Sequence, residues 1–256
     1  MGDAQVQAEY TELFRADSII ADAEAVREVL LADRADKRWS TIGQSFGGFL
    51  TLSYLSFAPQ SLRDCRITAG LAPIRTSVDN VYQHTFDRMK ERVEEYYSWF
   101  PEDAELATRI AEHLRTHKEY LPTGERLTDH RFQMAGHFLG GRWRERGLHY
   151  FLETAFAEGN DHLSDQFLTA MGAEVTFQAN PLYALMHETI YADGPADGVL
   201  PGIPGYELSP SPAPTNWSAA RVAASRPEFA PDADRLLFTG EHIFPWYYEE
   251  DPSLRP

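Results

Sequence analysis

Between a short apolar run, Trp39-Ser40-Thr41-Ile42, and a helical pattern that starts at Phe46 stands Gly43-Gln44-Ser45-Phe46-Gly47, followed by Gly48. A strand that passes into a helix within so few residues must turn sharply, and the serine at the corner takes a strained backbone. Side chains two residues away on either side would collide with neighbouring backbone, so glycine at 43 and 47 is expected to relieve those clashes. With Gly and Ser each near ~7% of residues, a chain of this length meets G-x-S-x-G by accident about once in ten. Its position, directly after a strand signal and at a helix start, gives it weight.

The surrounding pattern reads helix, strand, helix, strand. Apolar residues at Ile19, Ile20, Ala23, Val26, Val29 and Leu30 repeat with a helical period over 17–31, with Asp17 or Ser18 available as N-cap. Trp39 to Ile42 has the length and residue types of a buried strand, Phe46 to Pro59 is a helix stopped by proline, and Arg66 to Thr68 is a second strand closed by Gly70 and Pro73. This is the grammar of a parallel α/β sheet. From about Ser77 to Ala192 the chain is charged, aromatic and helical in period, with helices expected over 82–100, 104–117, 132–140 and 147–157. Ten of the 24 residues from Asp193 to Asn216 are Gly or Pro, which reads as an irregular loop, and a last helix is expected over 217–225.

Composition narrows the function. The chain has 39 Asp+Glu against 23 Lys+Arg, a net charge of −16 over 256 residues. Its arginines are scattered rather than striped, which argues against nucleic acid and favours a small neutral or cationic ligand. No apolar run approaches a bilayer span, and the N-terminus lacks a basic stretch followed by an apolar one. The lone Cys65 forms no internal disulfide and no C-x-x-C metal pair, so a cytoplasmic protein without metal or cofactor is expected.

In the sharp-turn geometry Ser45 presents its oxygen at the tip of the sheet, and the backbone N–H of Phe46 points at an oxyanion formed when that oxygen attacks a carbonyl. The competing reading is an ordinary turn in which Ser45 caps the helix. A serine nucleophile needs a histidine base held by a carboxylate. His242, with Asp232 and Asp234 upstream, is the available set near the C-terminus, although no strand-loop context marks it. The histidines at 84, 113, 117, 130, 137, 149, 162 and 187 lie in the helical layer and read as surface or packing residues. Two glutamates have aromatic neighbours: Glu188 in Leu185-Met186-His187-Glu188-Thr189-Ile190-Tyr191, and Glu241 in Phe238-Thr239-Gly240-Glu241-His242-Ile243-Phe244. Each either reaches solvent or neutralises a cation, and two facing one pocket would bind an ammonium group.

These words, together with Phe14-Arg15-Ala16-Asp17-Ser18-Ile19 and Tyr54-Leu55-Ser56-Phe57-Ala58-Pro59, resemble the larger bacterial proline iminopeptidases, serine peptidases of the α/β-hydrolase fold. The resemblance runs in order over nearly the whole chain. It implies a partial α/β-hydrolase core over 1–74, a large, mainly helical cap over 75–245 that includes the loop 193–216, and a return toward the core over 246–256. It implies Ser45 as nucleophile, Phe46 N–H as half of the oxyanion hole, Gly43, Gly47 and Gly48 as the structural elbow, and Glu188 and Glu241 as the carboxylates that hold the amine of a peptide or amide with N-terminal proline. The family's oxyanion loop before the nucleophile strand and its catalytic Asp and His beyond the cap have no counterpart here, so the chain is expected to be an internal section, inactive alone. Two other readings stay open: an esterase or amidase of different specificity, and a non-catalytic or split-enzyme binding module.

Overall fold

The structure, a computed structural model, describes residues 3–71, 76–157, 159, 161–191 and 218–240. The chain divides into two compact units, residues 1–74 and 75–255.

The first unit runs α1 (Ala4–Glu12), α2 (Ala16–Leu30), β1 (Trp39–Gln44), α3 (Phe46–Phe57), a 3-10 turn (Pro59–Ser61) and β2 (Leu62–Thr68). Asp3 starts α1 by accepting the Val6 amide at 3.1 Å. The cap expected at Asp17 or Ser18 is not there. Arg15 holds the N-cap position of α2 without a side-chain bond, and Asp17 sits inside the first turn, where its charge meets the positive end of the helix. Ala58 leaves the helical region because Pro59 follows it, which ends α3.

β1 and β2 pair in parallel, with Thr41 opposite Cys65, Gly43 opposite Ile67 and Gln44 opposite Thr68. α3 packs on both strands. Trp39, Thr41 and Gly43 point to the covered face; Ser40, Ile42 and Gln44 point outward, and Ile42 is 79% exposed. Among the described residues the strand expected to be buried has one partner, β2, and one open face.

A small core of Ile20, Tyr54, Ala58 and Leu62, backed by Ala23, Trp39 and Cys65, joins these elements. Beside it lies a polar hub. Glu24 accepts from both Arg27 Nε and NH2, from the Tyr54 hydroxyl and from Ser61 Oγ, and Trp39 Nε1 donates to Tyr54 at 3.1 Å. One carboxylate thus ties α2 to α3 and to the turn before β2. The Arg27 guanidinium holds it down at about 2, while burial and the Glu24 bond push the Tyr54 hydroxyl up to about 12.

The second unit is mainly helical: α4 (Val78–Trp99), α5 (Pro101–Thr116), a two-residue hairpin of β3 (Glu119–Tyr120) and β4 (Arg126–Leu127), α6 (Asp129–Gln133) continuing as 3-10 helix (Met134–Gly140), α7 (Glu145–Glu153), α8 (Asp165–Val175), α9 (Pro181–Met186), a 3-10 turn (Glu188–Tyr191), α10 (Ser218–Ala224) and a last 3-10 turn (Pro227–Phe229). Ser77, Thr128 and Ser164 cap α4, α6 and α8 by accepting the amide three residues on. The core is rich in rings, with Tyr82, Phe86, Tyr96, Phe132, Phe167 and Phe238 fully buried. The expected helices over 132–140 and 147–157 are a short α-helix passing into 3-10 geometry and a helix that starts earlier, at Glu145. The Gly/Pro-rich loop 193–216, Trp217 and the tail from Glu241 onward lie outside the described residues. No helix among the described residues is long and apolar enough to cross a membrane.

Candidate active site

Ser45 stands at the corner between β1 and α3 with φ 54° and ψ −124°. A non-glycine residue there is strained by contact between its Cβ and its own backbone, and such torsions persist only where the surroundings impose them. The surroundings here are main chain. The Ser45 amide donates to the Thr68 carbonyl at 3.1 Å, and the Gly48 amide closes the turn onto the Ser45 carbonyl at 2.8 Å. The residue is exposed and its side chain makes no capping bond to α3. The competing reading, a serine that serves as an N-cap, does not describe this side chain. Phe46 provides the first amide of α3, one of the donors that a helix leaves unpaired at its start, at the positive end of the helix dipole.

Glycine is required at two of the three expected elbow positions and at a fourth place that the sequence did not mark. A Cβ on Gly43 would overlap the Gly47 carbonyl and stand 2.7 Å from Thr51 Oγ1, the hydroxyl that bonds that same carbonyl at 2.8 Å. A Cβ on Gly48 would stand 2.7 Å from the carbonyl carbon of Gly70. At Gly47, by contrast, an added Cβ meets nothing within 4 Å, so the clash expected there is absent. The crowding at Gly43 comes from α3, through Gly47 and Thr51, and that at Gly48 from Gly70 just past β2. Gly70 was visible in the sequence only as a strand terminator; a Cβ on it would stand 2.9 Å from the carbonyl carbon of Ser45.

Glu188 belongs to the second unit. It opens the 3-10 turn after α9 and is 1% exposed, so it does not reach solvent. Its Oε2 accepts the buried Ala219 amide at 3.1 Å, in the first turn of α10. Its neighbour His187 is wedged between the rings of Tyr183 and Tyr191, and Tyr191 meets Tyr82 of α4 edge-on at 6.0 Å. A carboxylate buried this deeply demands compensation, and one helix amide supplies part of it. Glu241 and His242 lie outside the described residues. Asp232 and Asp234 are exposed, unlike the buried, hydrogen-bonded carboxylate that orients a histidine base.

Among the described residues of the second unit, three histidines are paired with carboxylates: His113 with Glu119 at 2.6 Å, His130 with Asp129 at 3.2 Å and His149 with Asp103 at 3.1 Å. Glu102, Asp103 and His149 bring possible ligand atoms within 4.8 Å of one another. Asp103, however, is fully buried and already accepts from the Tyr96 hydroxyl and from His149, which itself stacks on Phe100. This cluster clamps α4, α5 and α7 together.

An α/β unit that turns from a parallel strand into a helix through an exposed, positive-φ serine has the local geometry of a serine hydrolase elbow. By sequence, the chain is similar over nearly its whole length to two proteins named as proline iminopeptidases. It is 39% identical over 251 residues, 98% of the chain, to the proline iminopeptidase of Aeromonas sobria. It is 32% identical over 262 residues, 99% of the chain, to the proline iminopeptidase aneH of Aspergillus aculeatus. The match takes in 54% of each relative, so the chain spans about half the length of the curated relatives it matches. No protein-family model matches the chain.

Proposed function

We propose that this chain carries the nucleophile and part of the amine-recognition layer of a serine aminopeptidase that releases N-terminal proline from peptides. Ser45 Oγ attacks the prolyl carbonyl while a base that is not among the described residues takes its proton, and the Phe46 amide stabilises the oxyanion that forms. The scissile C–N bond then breaks, the remaining peptide leaves as an amine that receives that proton, and water hydrolyses the prolyl ester to release proline and restore the serine hydroxyl. Residues 1–74 belong to an α/β-hydrolase core, and the helical unit over 75–245 is its cap, with Glu188 and Glu241 as the carboxylates that hold the ring NH2+. The observation that carries the reading is the torsion of Ser45, φ 54° at an exposed strand-to-helix corner, in a chain whose relatives are named proline iminopeptidases.

The test is proline release from a chromogenic proline amide, measured on the chain and on a chimera in which it replaces the matching section of the Aeromonas sobria relative. The chimera is expected to turn over, and Ser45→Ala to lower kcat by about a thousandfold or more. Turnover that survives Ser45→Ala would remove the nucleophile from this chain. The rival esterase or amidase reading has no use for a cation-binding glutamate, so retained affinity for cationic substrates in Glu188→Gln would favour it.

A further inference from the structure

The two strands of the first unit end alike. β1 runs into Ser45 with φ 54°, and β2, its register partner through Gln44 and Thr68, runs into Ala69 with φ 48°. Alanine has neither the freedom of glycine nor the side-chain bonds that let asparagine and aspartate occupy this region. The left-handed step redirects the chain just past β2, and the next residue, Gly70, is buried although Ala69 and Ser45 on either side of the contact are exposed. A Cβ on Gly70 would stand 2.9 Å from the carbonyl carbon of Ser45, 3.0 Å from its nitrogen and closer still to its carbonyl oxygen. From the opposite side a Cβ on Gly48 would stand 2.8 Å from Gly70 Cα. Gly70 therefore fills the hollow between the two residues, Ser45 and Gly48, whose hydrogen bond closes the turn.

We propose that Gly70, aimed by the left-handed backbone of Ala69, is a positioning residue for Ser45: its main chain buttresses the strained corner and sets where the serine hydroxyl stands. Ser45 cannot relax toward ordinary torsions while Gly70 Cα occupies the space behind its peptide, and Gly70 stays there because Ala69 turns the chain inward. The catalytic side of this claim rests on Ser45 being the nucleophile; the structural side does not.

Amide hydrogen exchange at Ser45 reports the buttress directly, since that amide is bonded to Thr68 beside it. In Ala69→Val, at an exposed position where a β-branched side chain disfavours the left-handed backbone further and leaves the intrinsic exchange rate at Ser45 unchanged, exchange at Ser45 is expected to rise at least threefold while Tyr54 in α3 keeps its protection. In Gly70→Ala the rise is expected to exceed tenfold, or the whole unit loses protection; in the latter case Ala69→Val decides. Wild-type exchange at Ser45 in Ala69→Val would overturn the proposal, as would a Gly70→Ala variant indistinguishable from wild type. In the chimera described above, Ala69→Val is expected to lower kcat with KM unchanged. If the exchange effect appears but the serine of the active chimera is not labelled by a fluorophosphonate, the nucleophile reading has failed and the buttress stands.

Discussion

The carbonyl of Gly47 occupies the space where a side chain on Gly43 would have to begin, and Thr51 holds that carbonyl in place from one helical turn further on. The first glycine of the turn is thus excluded from substitution by the backbone of the second, and the two positions are not equivalent. Gly43→Ala is expected to destabilise the first unit by about 3 kcal/mol or more, because neither the strand nor the helix backbone can move aside. Gly47→Ala puts its methyl into open space within the first turn of α3, so a neutral effect or a gain of up to about 1 kcal/mol is expected. Denaturant titration of the two variants against wild type checks both signs.

Strain at Ser45 gives a second prediction. Ser45→Ala and Ser45→Gly both remove the hydroxyl, but only glycine removes the Cβ that makes φ 54° unfavourable. Ser45→Gly is expected to be more stable than Ser45→Ala by about 1 kcal/mol, after allowing for the larger entropy of glycine in the unfolded chain. Equal stabilities in chemical denaturation would mean that the corner is relaxed in solution.

Glu188 separates charge from hydrogen bonding. Glutamine can still accept the Ala219 amide but carries no charge, whereas alanine leaves that buried amide without its acceptor. Glu188→Ala is expected to cost about 2 kcal/mol and to expose the α10 amides to exchange, while Glu188→Gln preserves both. Under the aminopeptidase reading Glu188→Gln nevertheless raises KM for cationic substrates. Thermal unfolding and substrate titration, run on the same two proteins, divide the roles.

Glu24 and Asp103 are expected to contribute to the pH dependence of stability with opposite sign. Glu24 is held at about 2 by Arg27, below its ordinary value of 4.5, so the unfolded first unit binds this proton more readily. Its contribution, about 2 kcal/mol for a partly exposed group, is complete above the ordinary carboxylate range and is lost as pH falls toward 2. Burial raises Asp103 above its ordinary value, outweighing the bonds from Tyr96 and His149 that pull it down. That contribution weakens as pH rises from the ordinary aspartate value through the raised one. Unfolding followed against pH in Glu24→Gln and Asp103→Asn should flatten the respective slopes.

Local patterns made the Ser45 corner and the helices around it legible. The strand, the glycines and the proline stop after α3 all act within a few residues of one another. β2 was read four residues short because Arg63 and Asp64 interrupt its apolar pattern, and its start is fixed instead by Leu62 entering a core built from α2 and α3. The β3–β4 hairpin is two residues long on each side, too brief for periodicity, although Pro122-Thr123-Gly124, with Gly124 at φ 89°, carries its turn. α8 had a readable signal in the Ser164 cap and the spacing of Phe167, Leu168, Met171 and Val175. Gly70 and Ala219 were beyond reach for a different reason: each matters through a residue more than twenty positions away, Ser45 and Glu188 respectively, and no local pattern encodes such an approach.

Because the corner is braced by main-chain atoms, its shape is indifferent to which side chains fill the small core beneath it. Drift among aliphatic and aromatic neighbours leaves it untouched, whereas any missense codon at position 43, 48 or 70 installs at least a methyl where peptide already stands. A saturation library of this chain would therefore show three nearly empty columns in the first unit, with a permissive one at 47 between them.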